Sequence, residues 1–113
     1  MIIVWFVLSL FTIIVGKNLV IVGSPNANSD YILVNNKLYP QIVDDFRKGL
    51  DALAKLPCDI FLGAHGLYYG LEKKYAKLKA GDANAFVDPQ GYQDFVKAKK
   101  KEFEEKLAAQ QKK

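Results

Sequence analysis

At 113 residues, half of them hydrophobic and a quarter charged, the chain is long enough for one domain with a single core and too short for two. Aliphatic and aromatic residues are plentiful while Gly, Pro and Cys are ordinary, which excludes a disordered, collagenous or disulfide-rich chain. The net charge of +4 comes largely from Lys97, Lys99, Lys100, Lys101, Lys112 and Lys113, a run without Arg that reads as a solvated helix face, so nucleic acid is not an expected partner.

The first 15 residues, MIIVWFVLSLFTIIV, are apolar except for Ser9 and Thr12, and three readings are open. A secretory signal would have an apolar region of this length, but the basic start and the A-x-A cleavage site are absent. A membrane anchor is shortened by Lys17 and Asn18, which end the run before the roughly 20 residues a span requires. A buried strand fits the dominance of Ile, Val, Phe and Trp, with a turn at Gly16-Lys17-Asn18 and a second strand over 19–23. Residues 1–18 are therefore treated as an apolar N-terminal segment and 19–113 as the domain proper.

Ser24, Pro25, Asn26, Ala27, Asn28, Ser29 and Asp30 form a cluster of turn residues, and 31–38 is expected to be irregular with a second turn at Asn35-Asn36. From Pro40 onward Ile42, Val43, Phe46, Leu50, Leu53 and Leu56 recur at three- and four-residue spacing, which predicts an amphipathic helix. Pro40 suits its first turn, Asp44 and Asp45 suit the positive end of its dipole, and Pro57 ends it. A short buried strand over 59–63 follows, and Ala64-His65-Gly66 leaves it. A helix over 71–79 is expected to carry Leu71, Tyr75 and Leu78 on one face and to stop at Gly81. Asp88 and Pro89 predict the N-cap and first residue of a long last helix, with Tyr92, Phe95, Val96, Phe103 and Leu107 as its apolar face and Lys99 and Lys106 laying their stems beside it.

Candidates for chemistry are few. Cys58 has no partner for a disulfide and no CxxC spacing, so it reads as a small buried hydrophobe. His65 is the one histidine, and no Ser-His or Cys-His pair lies near in sequence. A zinc site needs three or four ligands, so His65 taken by itself reads as a structural histidine at a strand end.

The segments YPQIVDDF (39–46), LPCDIFLGAHGLYYGLEKKYAKLKAG (56–81) and FVDPQGYQDFV (86–96) resemble, in order and in register, the end of the third-subclass metallo-β-lactamases. The resemblance runs from about Val20 to about Leu107. It implies an α+β fold, the C-terminal half of an αββα sandwich, with short strands and about three helices. It implies zinc as cofactor and a β-lactam as substrate, opened by zinc-activated water without a protein nucleophile. By the same resemblance His65 is a metal ligand, Ser24 and Asn26 are substrate-binding candidates, and the location is periplasmic or secreted.

In that family the remaining ligands are an H-x-H-x-D-H cluster and a further histidine, and none of these is in the sequence. The chain is therefore expected to be a truncated form, inactive alone, with exposed apolar surface and with the missing N-terminal half as a complement. Some members of the family also bond the cysteine matching Cys58 to a second cysteine, which is lacking here. The alternatives are a membrane-tethered or partner-binding module using residues 1–15 and the basic last helix, and another hydrolase of the same fold.

Overall fold

The computed structural model describes residues 7–14, 17–23, 25–26 and 31–112. Strand β1 (Val7–Ile14) runs antiparallel to β2 (Lys17–Val22), with Val7 opposite Val22 and Ile14 opposite Lys17. The register shifts between Leu10 and Ile14, so an irregularity interrupts the ladder. Of the three readings of the apolar N-terminus, the strand is the one seen for Val7–Ile14; residues 1–6 lie outside the described residues. The expected turn residues Lys17 and Asn18 belong instead to β2, because the Asn18 N–H donates to Asp59 Oδ2 at 2.8 Å and its carbonyl accepts from the Asp59 N–H at 2.9 Å. Among the described residues no helix is long and apolar enough to cross a membrane.

From β2 the chain passes through residues 31–41, held by side-chain amides rather than by strand pairing. Gln110 accepts from the Leu33 N–H at 2.7 Å and donates to the Tyr31 carbonyl at 2.8 Å. Asn36 closes a turn by accepting from the Leu38 and Tyr39 N–H groups, and Asn35 before it takes the left-handed conformation at φ 55°.

Helix α1 (Ile42–Lys55) buries Ile42, Phe46, Leu50 and Leu53. Pro40 lies just outside it: Gln41 is the N-cap without a side-chain cap, and the Tyr39 carbonyl takes the Ile42 N–H at 3.1 Å instead. Strand β3 (Ile60–Gly63) then joins the sheet parallel to β2, pairing Val20 with Phe61 and Val22 with Gly63, so the strand order is β1-β2-β3.

A single turn, α2 (Gly66–Tyr69), precedes α3 (Leu71–Lys79), and Gly70 joins them at φ 69°, a conformation glycine adopts without steric cost. The described residues thus carry four helices, one more than the periodicity predicted, because one turn is too short to show a period. Helix α4 (Pro89–Gln111) starts as expected: the Asp88 carboxylate accepts from the Gly91 N–H at 2.9 Å, and Pro89 follows. Its Tyr92, Val96, Phe103 and Leu107 are buried, and Phe95 is partly buried.

The core lies between the sheet and α1 and α4. Val20, Val22 and Phe61 come from the strands, and Phe46 stacks on Phe103 at 5.2 Å between the two helices. Each such side chain contributes roughly 1.5–3 kcal/mol by leaving water. Arg47 pairs with Glu104, and Lys100 with Asp51, along the exposed seam of α1 and α4. One sheet with helices on it is the α+β half of the αββα architecture that the resemblance implied.

Helix α3 departs from expectation. Leu71, Tyr75 and Leu78 are 39%, 53% and 43% exposed, and Leu67 just before them is 96% exposed. The residue α3 buries is Lys74, whose ammonium lies 3.0 Å from Asp88 Oδ2 and 5.9 Å from the centres of the Phe61 and Tyr69 rings. Apolar spacing located the stripe correctly, but in this chain the stripe faces out and a charge pair holds the helix.

Candidate functional site

Parallel pairing of β2 and β3 brings their C-terminal ends to one edge of the sheet, where irregular chain can be held by rigid strands. The ladder runs to Val22 and Gly63, and the Ala64 N–H still donates to the Val22 carbonyl at 2.9 Å. His65 follows in an extended conformation (φ −124°, ψ 138°) as the N-cap of α2, with its side chain in the open. Beside it emerge Pro25, which is buried, and Asn26, which is half-buried; Ser24 lies outside the described residues.

Tyr68 connects these pieces. Its ring meets the His65 imidazole edge to face, with centroids 5.2 Å apart and planes at 84°. Its hydroxyl accepts from Asn26 Nδ2 at 2.8 Å. On its other side it leans on Phe95 at 5.0 Å, and the Lys99 ammonium lies 5.8 Å from the Tyr68 ring centre and 5.5 Å from that of Phe95. Lys99 therefore sets its ammonium over aromatic surface, where its place near the apolar stripe suggested only its stem, and pairs with Glu102 at 3.2 Å. The sequence reading did not single out Tyr68. The signal available was its spacing of three from His65 at a helix start.

Of the sequence candidates, then, the structure places His65 and Asn26 at one sheet edge, bridged by Tyr68. Asn26 has one amide hydrogen committed to Tyr68, so it serves first as a strut for its own segment.

Cys58 is buried, donates to the Ile60 carbonyl at 3.4 Å, and has its thiol pushed up to about 11 by burial. Burial also raises the pKa of Tyr92, whose hydroxyl donates to the Leu53 carbonyl at 2.5 Å. Both groups belong to the core. A cleft of about 440 Å³ opens between α2 and α3, lined by Gly66, Leu67, Gly70, Leu71, Glu72 and Lys73, without His65 in its wall.

No protein-family model matches the chain, and no curated protein matches it. Solved structures do. The native FEZ-1 metallo-β-lactamase from Legionella gormanii superposes with a TM-score of 0.81 at 38% identity, over 84% of this chain and 36% of that one. A Cronobacter sakazakii metallo-β-lactamase with a HARLDQ motif gives 0.81 at 39% identity, over 87% and 38%. The subclass B3 metallo-β-lactamase of Bradyrhizobium japonicum gives 0.74 at 27%, over 84% and 36%. The chain has the fold and the sequence likeness of metallo-β-lactamases, subclass B3 members among them. It corresponds to their C-terminal portion and spans little more than a third of the length of these relatives.

Metallo-β-lactamases are zinc-dependent, and the donor set here can be tested against that metal. Among the described residues no three His, Cys, Asp or Glu side chains come together. Beside His65 stands the Tyr68 phenol, which in turn holds the Asn26 amide, and neither is a usual zinc donor, whereas a zinc site draws three or four ligands from imidazole, thiolate and carboxylate. The described residues do not by themselves fit a zinc centre.

Proposed function

We propose that this chain contributes one metal ligand, His65, to a β-lactam-hydrolysing metallo-β-lactamase domain, and that it does not hydrolyse β-lactams on its own. The observation that carries the reading is the place of His65: an exposed imidazole just past the end of the parallel strand β3, in a chain 38–39% identical to metallo-β-lactamases over most of its length. A strand end fixes the backbone, so little ordering entropy is lost when a metal arrives. A single imidazole holds zinc weakly, and a hydrolytic zinc site needs three protein ligands and an open position. Asn26 at the same edge, and Ser24 by the resemblance alone, are the substrate-binding candidates. A periplasmic or secreted location belongs to this reading.

The test is hydrolysis of a chromogenic β-lactam by the purified chain with excess zinc, beside His65→Ala. Background rates for both support the reading; a zinc-dependent rate lost in His65→Ala would overturn the inactivity part of it and leave the ligand role standing.

A second reading, a partner-binding or membrane-tethered module, is favoured by the exposed stripe of Leu67, Leu71, Tyr75 and Leu78. Sedimentation and membrane fractionation of the expressed chain separate the two: a monomer that stays in solution sinks the second.

A further inference from the structure

We infer that Tyr68 is a positioning residue, which fixes the rotamer of the His65 imidazole and ties the segment carrying Asn26 to the same strand end. The inference rests on the reading of His65 as a metal ligand for its functional meaning, while the packing itself is independent of that reading.

An exposed histidine has two free side-chain torsions and ordinarily samples several rotamers. Here one face of its range is closed by the edge-to-face contact with Tyr68, an arrangement aromatic quadrupoles favour. Tyr68 is in turn unable to move freely. Its backbone N–H donates to the His65 carbonyl at 3.0 Å, which fixes the two residues one helical turn apart. Its ring rests on Phe95 of α4 and lies under Lys99. At Gly63 a Cβ would come within 2.8 Å of Tyr68 Cδ2, so the ring is packed directly on the backbone of β3, and glycine is what allows it.

The hydroxyl then reaches across the sheet edge to Asn26, 42 residues away in sequence. That bond ties Asn26 to the strand end that carries His65. One side chain therefore couples two parts of the site that come from different strands. Tyr68 is not a catalytic residue in this account; it acts through His65 and Asn26.

The experiment is NMR of the full chain without metal, comparing wild type with Tyr68→Phe and Tyr68→Leu. His65 is the single histidine, so its imidazole proton resonances are unambiguous. Tyr68→Phe is expected to leave them in place and to lose the protection of the Asn26 side-chain amide against exchange. Tyr68→Leu is expected to shift them and to lose the amide as well, with the Val20 and Leu53 methyl signals unchanged. Imidazole resonances that do not move in Tyr68→Leu, or an Asn26 amide unchanged in Tyr68→Phe, overturn the inference. Should Tyr68→Leu not fold, Asn26→Ala decides: Tyr68 ring resonances that shift support the coupling, and unmoved ones refute it. These spectra stand or fall without zinc, so failure of the metal-ligand reading would be seen only in metal binding.

Discussion

The ammonium of Lys74 lies 3.0 Å from the carboxylate of Asp88, and the second of the two is the more open to water, with side chains 10% and 38% exposed. This pair does two things at once. It replaces an apolar contact as the attachment of α3, and it holds the residue that caps α4. The Lys74 Nζ makes no hydrogen bond of good geometry, so the ion pair is its main compensation for burial.

Removing one partner should therefore cost more than removing both. Asp88→Asn keeps a capping side chain but leaves Lys74 buried and uncompensated. A fully buried pair broken in this way loses about 3–5 kcal/mol, and the partial exposure of Asp88 lowers the expectation to about 1–3 kcal/mol. Lys74→Met combined with Asp88→Asn should recover part of the loss. Urea denaturation of the three variants measures both.

The same pair sets a pH dependence. Burial pushes the Asp88 carboxyl up, but the Gly91 N–H and Lys74 outweigh it and hold it below the ordinary 3.8. A depressed folded-state value means that the stabilisation is complete above the ordinary value and is lost as pH falls through the folded one. Wild type and Asp88→Asn should differ in urea midpoint at neutral pH, and the gap should close below about pH 3.8. Asp51 and Glu104 are also held low, by Lys100 and Arg47, but they are solvent-facing and their part of the acid limb should weaken with added salt.

Cys58 should be inert while the chain is folded. With its thiol pushed up to about 11 and its side chain buried, very little thiolate is present at neutral pH. Labelling by an aromatic disulfide reagent is expected to follow global unfolding, accelerating through the urea transition. Fast labelling in native buffer would contradict the packing described here.

At the centre of the helix layer, Phe46 stacks on Phe103 and is 1% exposed. Phe46→Ala should destabilise the chain by about 3–5 kcal/mol, since the cavity left between two helices and a sheet closes poorly. Thermal or urea unfolding reads this directly.

Much of this was legible in the sequence, and the exceptions share a cause. Helix α1, strand β3, the stop at Gly81 and the Asp88-Pro89 start of α4 follow from local rules of periodicity, breaking and capping, and the structure has them. Resemblance supplied the architecture, and the role proposed for His65 rests on it. What escaped was non-local. Tyr68 matters because Asn26 and Phe95 converge on it from elsewhere, and Lys74 is buried because Asp88 and two rings meet it. Lys17 and Asn18 read as a turn because local polarity hid the backbone pairing of Asn18 with Asp59. Ser24 lies outside the described residues, so its place beside His65 rests on the resemblance alone.

The central claim is that His65 is a metal ligand carried by descent in a chain that does not complete the site. Zinc titration of the purified chain, followed at the His65 imidazole and by calorimetry beside His65→Ala, tests it most directly. The account predicts weak binding by wild type that perturbs His65 and disappears in His65→Ala. Equal binding by both proteins would remove the ligand role, and tight binding of a full zinc site by wild type would contradict the incomplete site.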